Sequence, residues 1–380
     1  MAAASPSVPS ASKGPSAVRV IVVDDSAVIR GLITRWLDED SEITVVGSAS
    51  NGRQGLQMAA QYKPDVVILD IEMPEMDGLT ALPEIIKAVP HAKVVMASTL
   101  TRRNAEISLR ALSLGAADYV PKPEATRTMT ASADFRTEIC AKVKALGKAA
   151  RRNAPKLDAR AEAGMARRET RPAAPAPAQI SLREASRVKP QILAIGSSTG
   201  GPQALFELIK GIAPQIDVPI VITQHMPPTF TSILAEHLAK VSGLVCGEGR
   251  SGEVLSPCQV YVAPGDRHML LEKQGTQTRI VLSDAPQENF CRPAVDPMFR
   301  SIAAIYGPAA LCTVLTGMGS DGREGARKIV GAGGTVIAQD EATSVVRGMP
   351  GAVALAGLCA GVYPISRLAS EILKLMGKAQ

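Results

Sequence analysis

Short apolar runs that end in a polar residue and are followed at once by a helical pattern recur along this chain, and that alternation admits few folds. Residues 18–23 form the first run, ending in Asp24 and Asp25, with a helix expected over 26–37. Residues 42–48 and 64–70 read as the next two strands, each followed by a helical pattern, over 52–62 and 79–88. A fourth strand over 93–97 ends at Ser98 and Thr99, and a fifth over 117–120 is followed by Pro121, Lys122 and Pro123. Their helices are expected over 103–114, closed by Gly115, and over 135–146. Such a succession predicts an α/β unit over residues 18–140: a doubly wound parallel sheet of five β-α units, flavodoxin-like.

Ligands of such a sheet bind at the carboxyl ends of its strands, where Asp24, Asp25, Asp70, Ser98 and Lys122 are expected. Three converging carboxylates repel unless a hard cation joins them, and Mg²⁺ suits oxygen ligands. Asp70 is then placed to attack a phosphoryl group, with Ser98 and Lys122 in reach of the phosphate. One strand-end aspartate alone could be a turn cap; five polar residues at four strand ends point to a site. With Met73-Pro74 and Met76-Asp77-Gly78 after Asp70, and Pro123 after Lys122, the stretch resembles the receiver domain of two-component response regulators. The resemblance implies that Asp70 takes phosphate from a histidine kinase, that Asp24, Asp25 and Asp70 hold Mg²⁺, and that Ser98 and Lys122 sense the phosphorylated state.

At 380 residues the chain is long enough for a second domain. Its net charge of +6 suggests nucleic acid until it is located. Residues 148–189 hold eleven Lys/Arg against four Asp/Glu, a balance of +7 that leaves the remainder near −1. That stretch is rich in Ala, Arg and Pro and has no interleaved aromatics, so 141–189 is read as a solvated linker and no nucleic-acid partner is expected. Residues 1–17, Ala/Ser/Pro-rich with no apolar h-region, read as a disordered tail. The six cysteines are scattered without a C-x-x-C pair, which fits free thiols in a reducing cytoplasm. No run is long enough to enter a membrane.

A second α/β domain with a mostly parallel sheet is expected over 190–380. It opens with an apolar strand at 192–195, a turn Gly196-Ser-Ser198-Thr-Gly200, and a helix. Gly196, Ser198 and Gly200 fit G-x-S-x-G, which presents a serine beside a helix N-terminus; the same turn would also serve as a plain helix cap. Further strands at 218–224 and 311–315 end at His225 and just before Asp321. Ser198, His225 and Asp321 therefore all fall beyond strand carboxyl ends, in an order unlike that of α/β-hydrolases. Of the other histidines, His91 is expected in a solvated loop, His237 mid-helix, and His268 in a Gly-rich loop that could line a site.

The elbow, Gln224-His225-Met-Pro-Pro228 with Phe230, Ala263-Pro-Gly265 with His268, Arg292-Pro293 with Val295-Asp296, and Leu315-Thr-Gly-Met318-Gly-Ser-Asp321-Gly together resemble the bacterial chemotaxis methylesterase (CheB) family. The resemblance implies a cytoplasmic, phosphorylation-activated hydrolase. It would demethylate glutamate methyl esters of methyl-accepting chemoreceptors, releasing methanol, and deamidate receptor glutamines. The phosphodonor would be a CheA-type kinase, and the unphosphorylated receiver would obstruct the esterase. Ser198 is the expected nucleophile, His225 the base and Asp321 its orienter, with the Thr199 and Met318 N–H groups as oxyanion donors and no metal at this site. Cys291 stands where the family often has His. It is expected to bear on substrate-edge contacts and to leave the triad untouched.

Overall fold

The computed structural model describes residues 16–99, 101–122, 129–153 and 180–378. Its N-terminal unit alternates β1 (Val18–Val23), α1 (Ala27–Asp38), β2 (Ile43–Ala49), α2 (Gly52–Tyr62), β3 (Val66–Asp70), α3 (Gly78–Ala88), β4 (Lys93–Ser98), α4 (Arg102–Ser113), β5 (Asp118–Pro121) and α5 (Met129–Asn153). The five strands pair in parallel in the order β2-β1-β3-β4-β5. Helices cover both faces, so the central strands are buried throughout and read as continuous Val/Ile/Leu runs. Ser26, Asn51, Asp77 and Thr101 each cap a helix by accepting a backbone N–H three residues on. The strand order reverses between β1 and β3, which places the binding crevice over their carboxyl ends.

Helix α5 is longer than the 135–146 expected. Gly147 suggested a stop, because glycine weakens a helix interior by about 1 kcal/mol relative to alanine. Here it allows a close crossing: a Cβ at Gly147 would come within 2.3 Å of the Val18 side chain.

The C-terminal unit comprises β6 (Ile192–Ser197), α6 (Gly201–Ile212), β7 (Ile220–Gln224), α7 (Phe230–Ser242), β8 (Val245–Glu248), β9 (Gln259–Val262), β10 (His268–Gln274), β11 (Gln277–Ser283), α8 (Val295–Tyr306), β12 (Ala310–Val314), α9 (Arg323–Gly331), β13 (Thr335–Gln339), α10 (Gly348–Leu355), β14 (Gly361–Tyr363) and α11 (Ile365–Leu375). Seven strands pair in parallel in the order β14-β13-β12-β6-β7-β9-β8, while β10 and β11 form a separate antiparallel hairpin. This sheet reverses between β6 and β12. Strands β8, β10 and β14 and helix α10 were not anticipated. β8 and β14 are short edge strands, and α10 carries Gly348, Pro350 and Gly351, which mask a helical pattern.

The two units are in contact. Helix α4 packs against α6 and α7. Tyr119 of β5 stacks on Phe230 of α7, with centroids 4.3 Å apart and planes 6° from parallel. Gln203 Nε2 donates to the carbonyls of Leu112 and Ala116, the latter at 2.8 Å. Arg102 pairs with Glu236 at 2.7 Å and Arg152 with Glu341 at 2.5 Å. Of the basic stretch, residues up to Asn153 belong to α5, and Ser186 N–H donates to Thr335 Oγ1 of β13 at 2.8 Å. Residues 154–179 and 1–15 lie outside the described residues. Among the described residues no helix is long and apolar enough to cross a membrane.

Candidate active site

Strand β6 is buried to its last residue, and the chain then turns through Ser198, Thr199 and Gly200 into α6. Gly200 has φ +75°, the left-handed conformation that glycine adopts without strain. The turn is braced from behind: Ser197 Oγ donates to Gln224 Oε1 at 2.7 Å, and Gln224 Nε2 donates to the Ser198 carbonyl at 2.9 Å. Ser198 N–H donates to the Thr316 carbonyl at 3.0 Å, tying the elbow to the end of β12 across the switch point. Gly317 is required there, since a Cβ would lie 2.9 Å from that of Ser198. Ser198 Oγ has no hydrogen-bond partner among the described residues, nor do the Thr199 and Met318 N–H groups.

His225 directly follows β7, and its side chain is 11% exposed. Its Nε2 lies 2.7 Å from Asp321 Oδ2. Asp321 is buried at the N-terminus of α8, where it accepts from the N–H groups of Val295 at 2.6 Å and Asp296 at 3.0 Å. It also accepts from its neighbour Gly322 at 2.8 Å and from Asn289 Nδ2 at 2.9 Å. Gly196 makes room for this helix end, since a Cβ there would meet Val295 at 2.6 Å. Burial raises the Asp321 carboxyl, but His225 and the helix N–H groups outweigh it and hold the pKa below the ordinary carboxylate value. Burial likewise lowers the His225 imidazolium, while Cys291 and Asp321 outweigh it and hold that ring above its ordinary value.

The structure brings His225 and Asp321 together but does not close the expected chain to Ser198. The other ring nitrogen, Nδ1, faces Cys291 Sγ at 3.3 Å. Cys291 therefore does touch the proposed triad, contrary to the expectation from sequence. It is placed there by a tight turn in which the Glu288 and Cys291 backbones pair with each other. Asn289 and Phe290 between them have φ +52° and +62°. Asn289 reaches Asp321 and also Asp296 Oδ2, at 3.0 Å, and was not singled out by sequence. The one available signal was its type, since asparagine tolerates a left-handed turn. His268 is placed by the hairpin rather than by a Gly-rich loop. It starts β10, buried, and braces the 286–294 segment by contacts with Pro286 O at 3.0 Å and Ala294 N–H at 3.2 Å.

Thr199 also belongs to the domain contact. Its Oγ1 donates to Asp118 Oδ2 of β5 at 2.8 Å. Lys142 of α5 lies 3.1 Å from the same carboxylate oxygen. Val346 joins the apolar cluster of the N-terminal core, and Met318 and Val345 pack against that cluster. Of the two proposed oxyanion donors, Thr199 is thus tied directly to the N-terminal unit.

At the crevice of that unit, carboxylate oxygens of Asp24, Asp25 and Asp70 lie within 4.8 Å of one another. Lys122 Nζ stands 2.8 Å from Asp24 Oδ2 and 2.7 Å from Asp70 Oδ2. Lys122 is the partner of that buried Asp24 oxygen. Burial raises the Asp70 carboxyl to about 6, with Lys122 opposing and Asp24 assisting. Three hard carboxylate donors converging this closely suit a divalent cation such as Mg²⁺. Ser98 ends β4, buried, with its Oγ 3.0 Å from Ser108 Oγ.

Residues 193–372 match the family model for CheB methylesterase, and residues 20–134 that for the response regulator receiver domain. The protein-glutamate methylesterase/protein-glutamine glutaminase 1 of Paramagnetospirillum magneticum is 50% identical over 380 residues, covering 98% of this chain and 99% of that protein. The chain belongs to the CheB family. A second CheB relative, the protein-glutamate methylesterase/protein-glutamine glutaminase of Nitrobacter hamburgensis, is 52% identical over 363 residues, 94% of each chain. The crystal structure of the Thermotoga maritima CheB methylesterase catalytic domain is 41% identical, covering 50% of this chain and all of that one, with a TM-score of 0.48.

Proposed function

We propose that this chain hydrolyses γ-glutamyl methyl esters on chemoreceptors by acyl transfer through Ser198. It is a protein-glutamate methylesterase and protein-glutamine glutaminase regulated by its receiver domain. The observation that carries the mechanism is the pairing of an unengaged elbow serine with a His225–Asp321 hydrogen bond at the sheet's switch point. Ser198 Oγ attacks the ester carbonyl and His225 takes its proton. Asp321 holds Nε2, so Nδ1 is the nitrogen left for the serine, and the ring must release Cys291 to use it. The N–H groups of Thr199 and Met318 receive the oxyanion. Collapse expels methanol, protonated from His225, and water then frees the acyl group by the same steps reversed. A glutamine substrate follows the same path with ammonia as leaving group.

Asp70 accepts phosphate from a CheA-type kinase in the cytoplasm. Asp24, Asp25 and Asp70 would hold Mg²⁺, which supplies charge neutralisation for phosphoryl transfer when bound. Ser98 and Lys122 then contact the phosphate, and the change loosens the contact that holds Thr199 and Met318. The test is methanol release from methylated receptor, with and without a small phosphodonor, by wild type and Ser198→Ala. Release that requires Ser198 and rises with phosphodonor is the expected result. No release with Asp70 still phosphorylated would replace the enzyme with a receptor-binding module.

A further inference from the structure

We propose that Cys291 is a modification site for hydroperoxides and other small electrophiles, and that its modification withholds His225 from Ser198. The consequence for catalysis rests on the esterase reading of the site; the modification itself rests only on the Cys291–His225 geometry.

Cys291 Sγ lies 3.3 Å from Nδ1 of a ring whose Nε2 is anchored to a buried carboxylate 2.7 Å away. Nδ1 is thus placed to take the thiol proton as the sulfur reacts, with Asp321 holding the ring in position. Asp321, His225 and Cys291 are thus arranged as an acid–base–thiol series alongside the serine that the site otherwise presents. The sulfur is fixed by backbone. Its turn is closed by Cys291 N–H to Glu288 O at 2.9 Å and Glu288 N–H to Cys291 O at 3.2 Å, and Arg300 grips Glu288 through both oxygens. Cys291 is only half-buried, so a small reagent reaches it.

The other five cysteines differ. Cys140, Cys312 and Cys359 are buried, and burial pushes their thiols up, Cys359 to about 12. Burial also pushes up Cys246. Cys258 is exposed, and its sulfur donates to the Ile216 carbonyl at 3.2 Å, with no base beside it. Cys291 alone has an imidazole nitrogen within hydrogen-bond reach.

With hydrogen peroxide the Cys291 sulfur attacks one peroxide oxygen as its proton passes to His225 Nδ1. The S–O bond forms, the O–O bond breaks, and the departing hydroxide takes the Nδ1 proton of His225 as water. Sulfur is oxidised by two electrons to a sulfenic acid, and the peroxide is reduced. The new S–OH donates to the now neutral Nδ1, which occupies the nitrogen that Ser198 needs.

The test uses the full-length protein treated with hydrogen peroxide in the presence of dimedone, with adducts mapped by peptide mass spectrometry. Iodoacetamide labelling of all six cysteines runs in parallel. Cys291 is expected to take both labels about tenfold faster than Cys258 or more. His225→Gln and Asp321→Asn are each expected to slow Cys291 labelling and leave Cys258 unchanged, while the buried Cys140, Cys312 and Cys359 stay protected, which reports that the variants are folded. Peroxide without dimedone should cut wild-type methanol release about tenfold or more, reversibly with dithiothreitol, while Cys291→Ala keeps the rate it has untreated. Cys291 labelling no faster than Cys258, or independent of His225, would overturn the modification site. Equal peroxide loss in Cys291→Ala would overturn its effect on catalysis. A wild type that releases no methanol before treatment would sink the esterase reading, and the labelling would still decide for or against the site.

Discussion

The proposed mechanism gives Ser198 and Asp321 separable shares of the chemistry. Ser198→Ala removes the attacking atom, so methanol release should fall on the order of 10⁴-fold or more while Asp70 still takes phosphate from a small donor. Asp321→Asn keeps the shape but loses the charge that orients His225, and kcat should drop about 10⁴-fold. Retention of more than a tenth of wild-type activity would exclude Asp321 as orienter. The pH dependence tests Cys291. Activity falls as pH drops because protonated His225 cannot accept the serine proton. Cys291 and Asp321 hold the His225 pKa up against the downward pull of burial. Cys291→Ala removes one raising group, so the acid limb of kcat/KM should move to lower pH; a shift to higher pH, or none, would deny the contact a role. The Ser198 motif was legible because its backbone need is local: a strand end, a glycine in the left-handed region and a helix start. Cys291 was misjudged because its effect depends on a partner 66 positions away.

At the scale of elements, the β5 edge of the receiver domain decides how firmly the elbow is held. The Thr199–Asp118 hydrogen bond is buried and charge-assisted, worth about 1.5–3 kcal/mol. The Tyr119–Phe230 stack adds about 0.5–1.5 kcal/mol beyond its burial. Tyr119→Leu keeps an apolar side chain and removes the stack. Methanol release without phosphodonor should rise several-fold, and the further gain on phosphorylation should shrink by the same factor. Unchanged release, with the melting temperature also unchanged, would mean that this contact does not restrain the esterase. Elements with a clean period or a run of Val/Ile were readable in sequence. β8, β14 and α10 were not: two are short edges, and the third hides its period among Gly348, Pro350 and Gly351.

For the whole molecule, two sheets each place a site at their own point of reversal, and the β5 edge of the receiver links them. Chelating Mg²⁺ with EDTA should therefore abolish stimulation by phosphodonor and leave the unstimulated rate within about twofold, since the proposed esterase mechanism uses Ser198, His225 and Asp321 and no metal. Loss of both together would place a metal in the esterase step. The sequence by itself determined the two α/β units, the strand-end positions of Asp24, Asp70, Lys122, Ser198, His225 and Asp321, and the family they resemble. These follow from short-range rules: buried parallel strands are continuous apolar runs, and the residue after each run lands at the carboxyl edge. Only the tertiary structure decided which side chains meet there. It paired His225 with Asp321, turned its second nitrogen to Cys291, brought Asn289 to Asp321, and tied Thr199 to Asp118 of the other domain. Those contacts join segments 32 to 96 residues apart and depend on helix packing and turn geometry, which no local pattern encodes.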